Sequence, residues 1–97
     1  MPEAVCFHSQ QTVEKLLKAF LIRHSVRFAK VHDLEYLRAL CATIEPAFAS
    51  LDLGDLSGYA AEARYPGVVA EVTVTRAQEA LRIAERAREF ILQRLDF

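Results

Sequence analysis

The chain has 97 residues and a formal net charge of −1, with 53% hydrophobic and 26% charged residues. This length fits one domain, residues 1–97, and this composition is that of a globular protein rather than a disordered one. A charge near zero supplies no general attraction for nucleic acid, so any RNA contact would have to be local. We expect a cytoplasmic protein without membrane contact, because no run is apolar enough to span a bilayer and the N-terminus lacks the basic segment of a signal peptide.

The first predicted element is a long amphipathic helix from Pro2 to His24. At about 100° per residue, its apolar residues share one side. These are Val5, Cys6, Val13, Leu16, Leu17 and Phe20. The polar residues on the other side are His8, Gln11, Lys15 and Lys18. The later helices are expected to pack on the apolar side.

After a connection over residues 25–31, a second helix is predicted to start with His32 and Asp33. The Asp33 side chain is well suited to cap its free amides. Its apolar stripe consists of Leu34, Leu37, Leu40, Cys41 and Ile44. Pro46 cannot donate a hydrogen bond to the preceding turn and ends this helix. One further turn through Leu51 and a glycine-containing loop over residues 52–55 are expected to follow.

A third helix is predicted from Asp55 to Arg64, and residues 65–67 end it. Its helix propensity is weak because Gly58 lies inside it. Residues 68–74 are rich in β-branched side chains, but a lone strand has no partner in this sequence. We therefore predict an extended linker there. The fold class that results is all-α, a small up-and-down bundle of about four helices.

The last predicted helix begins near Thr75, which forms a capping-box pattern with Gln78, and continues to the C-terminus. One stripe of this helix is rich in small residues and is expected to pack closely on a neighbour. It contains Ala77, Ala80, Leu81, Ala84, Ala87, Ile91 and Leu95. Ile83 and Phe90 point roughly the other way, and we predict this second ridge as a partner interface. Arg88 lies within the small-residue stripe, and we expect its stem to pack there while its charge reaches water or a carboxylate. A buried ion pair or an intersubunit contact is the alternative.

Three groups of residues are candidates for a site. His8, Gln11 and Lys15 are spaced by three and four positions, so they can reach one phosphate or carboxylate. A solvated helix face is the favoured explanation, because helices of globular domains normally have one. His32 and Asp33 could form an acid/base pair, and helix capping is the structural alternative.

The third group is Arg64 with Tyr59 and Tyr65. An arginine flanked by tyrosines can bind a phosphate and a stacked base, whereas an arginine at a helix C-terminus also interacts favourably with the helix dipole. Cys6 and Cys41 both lie on apolar faces and are expected to be buried thiols. No metal-ligand cluster, cofactor motif or complete catalytic set is recognisable from spacing, so we expect no metal and no cofactor.

Three segments in this order, CFHSQQTVEKLLKAFLI, VHDLEYL and YAAEARYPG, resemble the HEPN domain family, the higher eukaryote and prokaryote nucleotide-binding domain. The resemblance implies a helical bundle that is commonly a homodimer. It also implies a neighbouring or fused minimal nucleotidyltransferase as partner, as in toxin–antitoxin pairs. Carried over by position, it points to a ligand-binding set of His8, Gln11, Lys15, His32, Asp33, Arg64 and Tyr65.

The chain departs from the family pattern in two respects. Family members usually have another helix before the segment that begins here at Pro2, so a second subunit is one expected cover for the exposed side. The ribonuclease branch carries an arginine separated by four to six residues from a histidine late in the bundle. Arg64 has no histidine after it, and Arg27 and His32 have this spacing but lie in the first connection.

The leading hypothesis is therefore a noncatalytic homodimeric module that binds a nucleotidyltransferase partner or a nucleotide phosphate. One alternative is a metal-independent endoribonuclease in which His32 acts as acid/base and Arg64 or Arg27 stabilises developing charge. The other alternative is a bundle that serves only as a scaffold.

Overall fold

A computed structural model of the chain describes residues 2–58 and 73–95. Three α-helices lie wholly within these ranges, α1 (Pro2–Arg23), α2 (Leu34–Ile44) and α3 (Val74–Leu95). A 3-10 helix spans Pro46–Ser50. The predicted all-α class is confirmed, and the residues that the structure describes include no strand.

Helix α1 is the element on which the others pack, since it contacts both α2 and α3. Pro2 lies beside Val74, and Thr12 lies beside Arg88, so α1 and α3 run side by side in the same direction. The core between the helices contains large side chains that are almost completely buried. Among these are Leu17, Phe20, Leu21, Leu34, Leu37, Phe48 and Ile91.

A row of three aromatic rings joins α1, the 3-10 helix and α3. The ring centroids of Phe20 and Phe48 are 4.6 Å apart. Those of Phe48 and Phe90 are 5.0 Å apart, with the rings edge to face. Such pairs contribute about 0.5–1.5 kcal/mol beyond the area that they bury. Phe48 therefore holds the turn after α2 against both long helices.

The predicted bounds and apolar side of the first helix agree closely with α1. Cys6, Val13, Leu17 and Phe20 are buried as predicted. Val5 is an exception, because 37% of it is exposed to solvent at the edge of α1. The α1 face that α2 and α3 cover is thus turned slightly away from Val5.

The start of α2 is capped as predicted. The Asp33 side chain accepts hydrogen bonds from the amides of Glu35, at 3.0 Å, and Tyr36, at 3.2 Å. Ser57 satisfies a third amide, because its hydroxyl accepts from Leu34 N at 2.8 Å. The helix ends before Pro46, and the further turn predicted after this proline is the 3-10 helix.

The predicted start of the last helix is wrong by a short distance. The cap is Thr73 rather than Thr75, because Thr73 Oγ1 accepts from the amide of Arg76 at 3.1 Å. Residues 56–58 are helical, which agrees with the start of the predicted third helix. The rest of that helix lies outside the described residues, as do Tyr59, Arg64, Tyr65 and most of the predicted linker.

The ridge of α3 that contains Ile83 and Phe90 is covered by the chain itself, which corrects the expectation that it is left for a partner. Only 5% of Ile83 is exposed. Phe90 is half-buried between Phe48 and the guanidinium of Arg94. The loop over residues 52–55 and the 3-10 helix fold over this side of α3. Leu81 is instead 48% exposed, although it belongs to the predicted buried stripe.

Gly54 makes the close approach of that loop possible, and replacing it with alanine is expected to destabilise the fold. Gly54 has a φ of +50°, and a Cβ there would lie 2.6 Å from Cδ1 of Ile83. We expect Gly54→Ala to lower the free energy of unfolding by about 1–3 kcal/mol in urea denaturation, from backbone strain and displacement of Ile83.

The matched control is Gly58→Ala, because a Cβ on this helical glycine meets no atom within 4 Å. This control should leave the stability unchanged or raise it by up to about 1 kcal/mol. Equal effects of the two substitutions would contradict the role given to Gly54.

Candidate functional site

The most unusual polar residue of the fold is Glu14, a carboxylate on α1 that is only 4% exposed. One oxygen, Oε1, accepts a hydrogen bond from Nε2 of Gln10 at 2.9 Å and lies 2.9 Å from Nδ1 of His32. The other oxygen, Oε2, is 3.1 Å from Nζ of Lys18. Three donors on three residues therefore surround one buried carboxylate.

Gln10 extends this arrangement into a network. It is completely buried, and its Nε2 also donates to the carbonyl oxygen of His32 at 3.3 Å. Its Oε1 accepts from Nε2 of Gln11 at 2.7 Å. We call Gln10, Gln11, Glu14, Lys18 and His32 the Glu14 cluster. It ties the middle of α1 to the residue that precedes the cap of α2.

The environment of Glu14 keeps it ionised. Burial pushes the pKa of Glu14 upward, but the hydrogen bonds from Gln10, His32 and Lys18 together outweigh burial, so that its pKa lies below the ordinary value. A neutral His32 then donates its Nδ1 proton to the carboxylate, which makes Nε2 the basic nitrogen of the ring. The His32 side chain is 42% exposed, so a solute can reach this imidazole.

The structure brings together only some of the predicted site residues. Gln11 and His32 are joined through Gln10 in the Glu14 cluster. His8 instead lines a groove between α1 and α3. Lys15 is exposed, and the Asp33 carboxylate serves as the cap of α2.

The sequence analysis does not predict Glu14 as a site residue. The only available signal was the spacing of Gln10, Glu14 and Lys18, which places all three on one side of a helix.

A histidine oriented by a buried carboxylate is a familiar arrangement for proton transfer or for hydrogen bonding to an anion. The same contacts also satisfy every requirement of a purely structural tie, since they neutralise and hydrogen-bond a buried charge. The residues described here include no cluster of three or more potential metal ligands.

The second candidate surface is the α1–α3 groove, a depression of about 390 Å³. Its walls are mainly apolar and come from both long helices. They comprise Ala4, Val5, His8, Ser9, Thr12, Leu81, Ala84, Glu85 and Arg88. A second depression of about 300 Å³ continues it past Val74, which is 63% exposed. Exposed apolar side chains thus line the groove where α1 and α3 meet.

The two cysteines do not contribute to either candidate site. Cys6 and Cys41 are both buried, as predicted, and they form no disulfide with each other. Burial raises the pKa of Cys41 to about 12, so its thiol stays protonated at neutral pH. In the part of the chain that the structure describes, no helix is both long and apolar enough to cross a membrane.

Comparison with known proteins agrees with the resemblance inferred from the sequence. A family model described as HEPN domain matches residues 2–95. No curated protein and no solved structure matches the chain.

The stability contributed by Glu14 should depend on pH. Because its pKa is lowered on folding, the contribution is complete above the unfolded-state value of about 4.3 and is lost as the pH falls through the folded-state value. We expect Glu14→Gln to lower the free energy of unfolding by about 1–3 kcal/mol at pH 7, and by less below about pH 4.

The control for this measurement is Glu79→Gln. Glu79 pairs with Arg82 at 2.7 Å, but its side chain is 54% exposed. Its substitution should change stability by less than about 1 kcal/mol. A destabilisation by Glu14→Gln that is the same at pH 3 and pH 7 would show that the carboxylate charge is not its cause.

Proposed function

Because this chain belongs to the HEPN domain family, we propose that it is a noncatalytic helical binding module that works as a homodimer. The observation that carries the proposal is the uncovered apolar surface along α1 and α3. Leu81 is 48% exposed and Val5 37% exposed on adjacent helices, and the groove between them is mainly apolar.

Burying such surface against a second copy is favourable by about 25 cal/mol per Å² of apolar area. The groove also carries charges of both signs, Glu85 and Arg88, next to its apolar walls. A surface of this kind complements itself better than it complements a polyanion such as RNA, which needs several cations on one face. The resemblance adds a minimal nucleotidyltransferase as the protein that the homodimer would bind.

Light scattering after size-exclusion chromatography tests the homodimer. We expect a dimer at micromolar concentration for the unmodified chain. Leu81→Lys should raise the dimer dissociation constant at least about tenfold, since each interface would bury two ammonium groups among apolar side chains.

The control is Ile22→Lys, because Ile22 is 66% exposed on α1 but does not line the groove. This variant should remain dimeric. A monomeric unmodified chain, or equal effects of the two lysines, would contradict the proposal.

A second candidate function is the binding of a nucleotide phosphate at His32. The supporting observation is the contact of 2.9 Å between His32 Nδ1 and Glu14, which orients a half-exposed imidazole. Arg64, one of the two arginines named for the ribonuclease alternative, lies outside the described residues, so that alternative stays a prediction.

The chain contains three histidines, and they make a controlled binding experiment possible. In NMR titration with adenosine monophosphate, the ring Cε1–Hε1 signal of His32 should shift saturably. The signals of the exposed His8 and His24 should move little, because neither ring lies in the Glu14 cluster. Parallel shifts of all three signals would indicate nonspecific binding and contradict a phosphate site at His32.

RNA incubated with the protein and with His32→Ala separates binding from catalysis. Equal background cleavage by both proteins agrees with a noncatalytic module. Cleavage by the unmodified chain that His32→Ala abolishes would replace the proposal with the ribonuclease alternative.

A further inference from the structure

One exposed face of α3 carries four residues in a pattern with internal symmetry. These are Leu81, Glu85, Arg88 and Leu92, spaced by four, three and four positions. At about 100° per residue they fall within an arc of about 60°, so they form one stripe along the helix. Both leucines are exposed, Leu81 by 48% and Leu92 by 37%. Glu85 and Arg88 are exposed between them.

This stripe is complementary to itself when reversed. A two-fold axis that crosses α3 between residues 86 and 87 places Leu81 opposite Leu92 of the partner subunit. The same axis places Glu85 opposite Arg88 of the partner subunit. In a two-fold contact each pairing occurs twice, so the interface would contain two leucine contacts and two ion pairs.

The opposite orientation is disfavoured by charge. If the two copies of α3 packed in parallel about a two-fold axis, each residue would face its own copy. Glu85 would then meet Glu85 of the partner subunit, and the two copies of Arg88 would meet likewise. Like charges across an interface act against association, so the stripe selects antiparallel packing.

The charges of the stripe are available for such pairs. Nearby residues of α3 are already used within the chain, since Arg82 pairs with Glu79 and Arg94 with Glu45. Within residues 2–58 and 73–95, neither Glu85 nor Arg88 forms an ion pair. Three of the four stripe residues also line the α1–α3 groove, where a second helix would lie.

We infer that two copies of this chain pack through antiparallel α3 helices, with reciprocal Glu85–Arg88 ion pairs flanked by Leu81–Leu92 contacts. The inference rests on the homodimer proposed above and specifies its partner surface and orientation. It assigns Arg88 an intersubunit ion pair rather than a solvated position. About 16 Å of helix lies between the two leucines, which is three turns of contact.

Charge exchange tests this orientation, with dimer dissociation constants measured by sedimentation equilibrium. Glu85→Arg and Arg88→Glu should each raise the constant at least tenfold, because each places like charges opposite one another twice. The double variant E85R/R88E exchanges the signs and restores the pairs, so its constant should return to within about threefold of the unmodified value.

Arg86→Glu is the matched control. It makes the same change of charge at an exposed position on α3 that is turned away from the stripe, so the dissociation constant should be unchanged. Far-ultraviolet circular dichroism checks that every variant is folded.

Two failures are distinguishable in this experiment. A dimer that persists equally in both single variants, or a double variant no tighter than the single ones, overturns the antiparallel arrangement and leaves the homodimer intact. An unmodified chain that stays monomeric overturns the homodimer as well.

Discussion

The side-by-side packing of α1 and α3 is the contact on which the rest of this structure depends. Each helix has 22 residues, and most of its stability comes from burial of its apolar side. Small residues on α3, including Ala80, Ala84 and Ala87, let the two backbones approach closely. The shorter α2 and the 3-10 helix then cover the remaining apolar side, with Phe48 between the long helices.

This packing separates the two candidate surfaces. The junction of α1 and α3 leaves Leu81 and Val5 open to solvent, which creates the groove and the stripe proposed for dimerisation. The Glu14 cluster lies where α1 meets the start of α2, and it keeps a charged carboxylate inside the fold. Because a buried carboxylate tolerates little change in its donors, the cluster also fixes where the chain enters α2.

The Glu14 cluster is compatible with two roles, which differ in what they require of His32. A structural tie needs only the contact between Nδ1 and Glu14, and the exposure of the ring is then incidental. A ligand site needs the exposed edge of the same ring. The helical family to which the chain belongs includes modules with nucleotide-related and ribonuclease-like functions. A structural tie and a ligand site at His32 are both compatible with this family.

The sequence alone determined the features that depend on local pattern: the all-α class, the bounds of α1 and α2, the Asp33 cap and the buried cysteines. It did not determine which ridge of α3 is buried, because Ile83 and Leu81 flank the same row of alanines and are equally apolar. Only the loop around Gly54, which folds over Ile83, decides between them. Glu14 likewise looks like any charged residue of a helix until the fold places residue 32 against it, because burial depends on neighbours that are distant in the chain.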